Sequence, residues 1–291
     1  MNKQIKQLIS EDYMRSLLER CLAEDGGLSG DVTTNALGLS GAKGSFAVNI
    51  RGMGVVACLE PLVPVLDVFG DVAITTIHCD GDVVQNENIA LLEGEVQSIL
   101  IAERTILNIL GHASGIATRT KMFVDAVAGT NCSVCDTRKT TPGLRLLDKY
   151  AVQCGGGTAH RMGLHDAALF KDNHLAGFDD LHSELGAAIT CAKEYRELQF
   201  IEVEVDTIAQ LEEVITLPVD IILLDNMSKE ELAEAVSIRD ASCASILLEA
   251  SGGVNLETVR AIAQTGVDRV SIGGLIHQAT WVDVGLDALH A

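Results

Sequence analysis

The spacing of apolar residues divides the chain into two parts with different patterns. In the first part, residues 11–24 place leucines on one helical stripe, which predicts an amphipathic helix. Residues 44–90 contain alternating and β-branched runs, which predict strands. Residues 96–111 return to helical spacing and predict a longer helix. We therefore expect an α/β domain over residues 1–113. Within it, strands are predicted at residues 45–50, 54–58 and 72–77, a short helix at 62–69, and a turn with further strands at 81–92.

After about Ser114, the pattern changes to strands that alternate with helical runs. This alternation is typical of a parallel barrel or a doubly wound sheet. Six strands in about 160 residues are too few for a complete barrel, which has eight strands and about 250 residues. We therefore predict an incomplete α/β barrel over residues 114–275, with residues 276–291 packing back on the first domain. The six predicted strands are residues 133–137, 168–171, 200–205, 221–225, 245–250 and 269–273.

Composition restricts the possible partners and compartments. The net charge is −20, so we expect neither nucleic acid nor an anionic membrane surface as a partner. No stretch approaches about 18 apolar residues without a charge, and residues 1–10 lack the apolar run of a signal peptide. We therefore expect a cytoplasmic protein. Cys132 and Cys135 form the only CxxC pair, and without a second pair we interpret them as buried, reduced strand residues rather than a zinc or redox site.

Polar residues lie at or near the ends of all six predicted strands, including Glu202 on the third and Glu249 on the fifth. One such residue could be a helix N-cap, but six at one rim indicate an active site. The early strands and their loops contribute cations. The planar fork of arginine matches a carboxylate, so several such groups suit a small polycarboxylate. The basic residues of this predicted site are Arg138, Lys139, His160, Arg161 and Lys171.

The later strands contribute acids and glycine-rich turns. Glu204 and Asp225 could hold ribose hydroxyls or Mg²⁺, which prefers oxygen ligands. The glycine turns would let backbone N–H groups approach a phosphate at helix N-termini. Together these residues suggest an enzyme that joins a carboxylate to a phosphorylated sugar. The rival is a lyase that forms a Schiff base through Lys139 or Lys171, although such a lyase needs fewer cations. The predicted phosphate site comprises Ser251, Gly252, Gly253, Gly273 and Gly274.

Three blocks of the sequence resemble the quinolinate phosphoribosyltransferase family. Residues 136–174 contain Asp-Thr-Arg-Lys-Thr-Thr-Pro-Gly-Leu-Arg, Lys-Tyr-Ala-Val, Gly-Gly-Gly, His-Arg-x-Gly-Leu and Lys-Asp-Asn-His. Residues 103–118 contain Glu-Arg-Thr-x-Leu-Asn and Ser-Gly-Ile-Ala-Thr, and residues 28–34 read Leu-Ser-Gly-Asp-Val-Thr-Thr. One departure is Ala159, where the family usually has asparagine before the His-Arg pair. The resemblance covers nearly the whole chain, and its central block is highly specific.

The resemblance implies an N-terminal open sandwich, a six-stranded incomplete barrel and a homodimer that uses quinolinate, phosphoribosyl pyrophosphate and Mg²⁺. Arg104, which borders the apolar stripe of its helix, would enter the neighbouring subunit's quinolinate site. A paralogue that acts on another pyridine carboxylate or acceptor, including the type found with molybdate transport, stays open as an alternative. A binding or regulatory protein without turnover is a further alternative. The residues that the resemblance implies for catalysis are Lys139, Lys171, Glu204 and Asp225.

Overall fold

The computed structural model describes residues 9–39, 41–242 and 245–289, and it divides into two compact units. The first unit contains the described residues up to Lys121, Thr141–Gly156, and those from Gln278 onward. The second unit contains Met122–Thr140 and the described residues of Gly157–His277. None of the described helices is long and apolar enough to cross a membrane.

The elements are numbered here in chain order. The strands are β1 (Lys43–Val55), β2 (Val72–Thr76), β3 (Val83–Glu95), β4 (Ser133–Cys135), β5 (Ala167–Phe170), β6 (Phe200–Val205), β7 (Ile221–Asp225), β8 (Leu247–Ser251), β9 (Arg269–Ser271) and β10 (Asp283–Ala288). The helices are α1 (Glu11–Gly26), α2 (Val32–Leu37), α3 (Val96–Ala126), α4 (Arg145–Cys154), α5 (Asp172–Leu175), α6 (Leu181–Ala192), α7 (Ile208–Val214), α8 (Lys229–Ser242), α9 (Val259–Ala263) and α10 (Gly274–His277). A 3₁₀ segment, Glu60–Phe69, lies between β1 and β2.

The first unit contains an antiparallel sheet with the strand order β10-β1-β3-β2. The predicted separate strand at residues 54–58 is wrong, because β1 continues through this region to Val55. A register shift between Ile50 and Met53 interrupts its pairing with β3, and Gly52 there has a φ of +90° that favours glycine. The shift bends one long strand at the point where the sequence pattern suggests a break.

In the first unit, helices α1 and α3 begin where the sequence predicted, at Glu11 and Val96, whereas α2 and α4 were not predicted. The side chain of Ser10 accepts a hydrogen bond from the backbone N–H of Tyr13 and so caps α1. Helix α1 buries Leu17 and Leu18 of the leucine stripe that predicted it, together with Met14, whereas Leu22 of that stripe is half-buried. The predicted short helix near residues 62–69 is the 3₁₀ segment.

Helix α3 continues beyond the predicted end at Gly111, and the domain boundary predicted between residues 113 and 114 lies inside it. A Cβ at Gly111 would lie 3.0 Å from the carbonyl oxygen of Val282, and one at Gly115 would lie 2.3 Å from that of Thr280. These glycines therefore permit close packing of residues 280–282 on the helix. They do not end it.

The second unit contains a six-stranded parallel sheet with the order β4-β9-β8-β7-β6-β5. The two strands that come first in this unit, β4 and β5, lie at opposite edges, so the sheet has the strand order of a barrel that is open between them. All five pairings are parallel. The predicted six-stranded incomplete barrel and the α/β fold class are thereby confirmed.

Candidate active site

Cationic side chains lie near the edge of the second unit's sheet where its parallel strands end. Arg138 and Lys139 follow β4 and are exposed, whereas Arg161 is half-buried and donates from Nη1 to the carbonyl oxygen of Ala167 at 3.3 Å. Burial and then the positive charge of Arg138 lower the pKa of Arg161. Both guanidinium groups are candidate partners for an anionic group of a substrate.

Lys139 crosses the end of β9 at Gly273. A Cβ at Gly273 would lie 2.7 Å from Cδ of Lys139 and 3.6 Å from Nε2 of His277, so the Lys139 side chain packs directly against this glycine. The structure thus brings a predicted carboxylate ligand and a predicted phosphate-binding glycine together. Sequence reasoning missed His277, which lies on α10, the helix that begins at Gly274. The signal was a histidine one helical turn after a glycine pair.

Lys171 and Glu204 form an ion pair between the end of β5 and strand β6. The side chain of Lys171 is 42% exposed and that of Glu204 is 10% exposed, so the pair lies at the border between the sheet interior and solvent. A lysine acts as a nucleophile only in its neutral form. Because Lys171 is paired with a carboxylate, the geometry favours a cationic role over a Schiff base.

The turns after β7 and β8 pack tightly against each other. The side-chain amide of Asn226 donates to Oδ2 of Asp225 at 2.6 Å, and its backbone N–H donates to the carbonyl oxygen of Ser251 at 2.9 Å. Gly252 has a φ of +93°, and a Cβ there would lie 2.1 Å from Oδ1 of Asn226. The protein itself therefore requires this glycine, and phosphate binding by this turn stays a prediction.

The two glycine turns lie at different distances from the helices that follow them. Gly274 is the first residue of α10, but α9 begins at Val259, six residues after Gly253. Any phosphate at the turn after β8 would therefore meet loop N–H groups without the support of a helix N-terminus.

A buried charge cluster lies inside the sheet. Nε2 of His160 is 2.9 Å from Oε2 of Glu202 and 3.3 Å from Oε1 of Glu249. Nε of Arg269 is 2.8 Å from Oε2 of Glu249. Both glutamate side chains are fully buried, so their predicted position at the exposed rim is wrong. They are acids in the middle of apolar strands, and this is the signal that could have identified them.

Two carboxylates next to one imidazole determine the charge of this cluster. Burial alone would lower the pKa of His160, but hydrogen bonding and attraction to Glu202 and Glu249 raise it to about 9. The backbone N–H of Arg161, 2.7 Å from Nδ1, opposes protonation of that atom. Because this N–H donates to Nδ1, the ring proton in the structure lies on Nε2, and the two carboxylates favour the gain of a second proton. Burial also raises the pKa of Glu202.

Arg104 lies in the first unit, so the structure of that unit does not place it with the other predicted ligands. Its side chain is 64% exposed and lies 3.8 Å from Oε1 of Glu103. Together with Arg20 and His112 it lines a cavity of about 590 Å³ in this unit. The predicted contribution of Arg104 to a neighbouring subunit stays a prediction.

Comparison with known proteins gives one consistent result. Residues 31–114 match the family described as quinolinate phosphoribosyl transferase, N-terminal domain, and residues 116–287 match its C-terminal domain. A nicotinate-nucleotide pyrophosphorylase (carboxylating) from Mycobacterium leprae is 40% identical over 280 residues, which are 95% of this chain and 97% of the relative.

Solved structures agree with these matches. The nicotinate-nucleotide pyrophosphorylase from Ehrlichia chaffeensis is 40% identical with a TM-score of 0.84, over 97% of this chain and 99% of that one. The corresponding protein from Francisella tularensis is 34% identical with a TM-score of 0.89, over 99% and 100% of the two chains.

Proposed function

Because the chain belongs to the quinolinate phosphoribosyltransferase family, we propose that it transfers the phosphoribosyl group of phosphoribosyl pyrophosphate to quinolinate with decarboxylation. The products are nicotinate mononucleotide, pyrophosphate and CO₂, and the reaction is a step of NAD biosynthesis. The observation that carries the proposal is that Lys139, a cationic candidate for a carboxylate, lies against Gly273 of the candidate phosphate turn. A dicarboxylate supplies two negative groups to such a site.

Substrate binding follows from the chemistry of these side chains. The two carboxylates of quinolinate pair with Arg138, Lys139 and Arg161 at the edge of the sheet. Lys171, which forms an ion pair with Glu204, also serves the anionic substrates. A carboxylate with two or more charged donors is held in one orientation, which fixes the ring nitrogen relative to the sugar.

The ring nitrogen of quinolinate attacks C1 of the ribose as the bond from C1 to pyrophosphate breaks. Positive charge develops on the sugar, and the carboxylates of Glu204 and Asp225 are suited to stabilise it. The new N–C1 bond makes the ring nitrogen cationic. Loss of the 2-carboxylate as CO₂ then leaves an electron pair on C2 beside this cation, and C2 takes up a proton. The side chains orient the ring and exclude water, and no covalent intermediate with the protein is required.

Mg²⁺ would be held by Glu204 and Asp225, which lie on the neighbouring strands β6 and β7. Both offer carboxylate oxygens, the donor type that Mg²⁺ prefers. Two carboxylates leave most of its coordination sphere for water and substrate oxygens, so the donor set fits an ion that binds with phosphoribosyl pyrophosphate. When bound, the ion would neutralise charge on the departing pyrophosphate.

We extend the proposal to a cytoplasmic homodimer in which Arg104 binds quinolinate in the partner's site. The exposed position of Arg104 supports this role, because its guanidinium is accessible from outside the protomer. Mixing Arg104→Ala subunits with Lys139→Ala subunits should restore activity, since half of the shared sites in a mixed dimer carry both intact residues. Isolated mixed dimers that stay inactive would contradict shared sites.

The central experiment is to incubate the protein with quinolinate, phosphoribosyl pyrophosphate and Mg²⁺ and to measure CO₂ and nicotinate mononucleotide. We expect both products in equal amounts, and an about 100-fold loss of kcat/KM in Arg138→Ala, because a charged carboxylate loses its partner. Arg196→Ala, an exposed arginine of the same unit, is the matched control and should keep wild-type kinetics. Turnover of another pyridine carboxylate but not of quinolinate would favour the paralogue. No turnover of any would favour a binding protein.

A further inference from the structure

Two fully buried glutamates lie inside the parallel sheet where a packing role would favour apolar residues. Glu202 lies on β6 and Glu249 on β8, two strands separated by β7. In barrel-like sheets, interior side chains from alternate strands share one layer. Buried carboxylates are costly and are often replaceable by apolar residues without loss of stability. Their presence in this layer therefore calls for a role other than packing.

The two carboxylates have one common partner. Both contact Nε2 of His160, and Arg269 on the adjacent strand β9 holds the far oxygen of Glu249 through Nε at 2.8 Å. Arg269 is itself positioned by Cys135, whose sulfur lies 3.3 Å from the same Nε atom. Side chains from β6, β8 and β9 thus fix the position of the His160 imidazole at Nε2.

The other polar atoms of His160 contact the two segments that carry the predicted quinolinate ligands. Its backbone N–H donates to Oδ1 of Asp136 at 2.8 Å, and Asp136 opens the segment that contains Arg138 and Lys139. The backbone N–H of Arg161 lies 2.7 Å from Nδ1 of His160. One buried residue therefore connects both cationic segments to the charge cluster.

We propose that Glu202 and Glu249 are positioning residues of the quinolinate site: fixed by Arg269, they orient His160, and His160 holds the segments of Asp136 and Arg161 in register. This inference rests on the proposed function, because it assigns a purpose to the site that binds quinolinate. It predicts that the two glutamates determine substrate binding without touching substrate.

A bound metal ion is the competing explanation of the cluster. His160, Glu202 and Glu249 each offer one ligand atom, and these atoms lie within 4.8 Å of one another. However, the Arg269 guanidinium already places a positive charge against Glu249, and Nε2 of His160 lies within hydrogen-bond reach of both carboxylates. Protein groups therefore already partner both carboxylates, and the geometry favours a network of ion pairs and hydrogen bonds without a metal.

The test compares wild type with Glu249→Gln and with the Glu202→Gln/Glu249→Gln double variant, which keep side-chain size and remove charge. We expect the KM for quinolinate to rise about tenfold or more, while kcat and the KM for phosphoribosyl pyrophosphate change less than about threefold. The matched control is Asp268→Asn, which breaks a different ion pair of the same unit, that with Arg239. It should lower stability and leave the KM for quinolinate unchanged.

Amide hydrogen exchange supplies a readout that needs no substrate. The backbone N–H groups of His160 and Arg161 should exchange about tenfold faster or more in the double variant, while the amides of β7 and β8 should keep their wild-type rates. Uniformly faster exchange across the sheet, or a fall in kcat at constant KM, would indicate a merely structural role and overturn the proposal. Unchanged exchange rates of the His160 and Arg161 amides in the double variant would also overturn the proposal.

The same experiment separates this inference from the proposed function. If wild type does not convert quinolinate, the proposed function fails, and the exchange rates still decide whether the glutamates position His160. If wild type is active and the variants match it in both readouts, only the inference fails. Dialysis of wild type against a strong chelator, followed by assay with Mg²⁺ restored, should change neither readout, and a change that restored Mg²⁺ does not reverse would favour the metal explanation.

Discussion

Raising the pH through 9 should destabilise the protein through one buried group, His160. Its pKa is raised from the ordinary value of 6.5 to about 9 by Glu202 and Glu249, against the opposing effect of burial. The protonated ring is therefore favoured in the folded state. Its contribution to stability is fully present below the unfolded pKa of about 6.5 and is lost as the pH rises through the folded pKa of about 9.

The size of this effect follows from the displacement of the pKa. At about 1.4 kcal/mol per pKa unit, the change from 6.5 to about 9 corresponds to about 3 kcal/mol of unfolding free energy. A side chain that is 7% exposed is screened little by solvent, so most of this value should be observed. The effect is large compared with a typical net stability of about 5–15 kcal/mol.

The assay is urea unfolding of wild type and His160→Gln at several pH values between 6 and 9.5. All other titratable groups are common to both proteins, so their effects on stability cancel in the difference. We expect wild type to be more stable than the variant at pH 6 and the gap to shrink by about 3 kcal/mol by pH 9.5. A gap that stays constant, or that is already lost at pH 7, would refute the reasoning.

Two further predictions concern the first unit and helix packing. Gly115→Ala should lower the unfolding free energy by about 1–3 kcal/mol, because the new Cβ would lie 2.3 Å from the carbonyl oxygen of Thr280. Gly186→Ala in α6 meets no such clash and should raise the unfolding free energy by up to about 1 kcal/mol. Thermal unfolding checks both, and an equal effect would contradict the packing argument. Tyr150→Phe removes a 2.6 Å hydrogen bond from the tyrosine hydroxyl to Asp80, and burial raises the pKa of Asp80 to about 6. The variant should lose about 1–3 kcal/mol of unfolding free energy at pH 7.5, and less at pH 5, where the carboxyl is protonated. A cost that is independent of pH across this range would refute the link to ionisation.

The six parallel strands were predictable because each carries its own local signal. The clearest signal is the apolar run at 221–224, which ends in Asp225, and segments with polar ends recur between the predicted helices. Parallel strands are buried on both faces, so their apolar character is continuous and needs no knowledge of their neighbours. For the same reason the rim residues could be placed at one edge before the sheet order was known.

The continuation of α3 could not be predicted from local patterns. Glycine in a helix is unfavourable by about 1 kcal/mol relative to alanine, so a sequence with Gly111 and Gly115 favours a helix end there. The compensation comes from residues 280–282, which are more than 160 positions away along the chain and pack against the helix backbone. Only the tertiary structure contains this contact.

The burial of Glu202 was only partly predictable, and a comparison with Glu204 on the same strand, β6, shows why. Alternation in Phe200–Val205 places Glu202 and Glu204 on the same face, so the sequence shows that two acids share one side of the strand. It does not show how deep each lies. In the folded sheet the first is fully buried and the second is 10% exposed, and this difference separates a positioning residue from a candidate for contact with sugar or Mg²⁺. Two residues along one strand thus acquire different chemistry because β6 runs from the interior of the sheet to its edge.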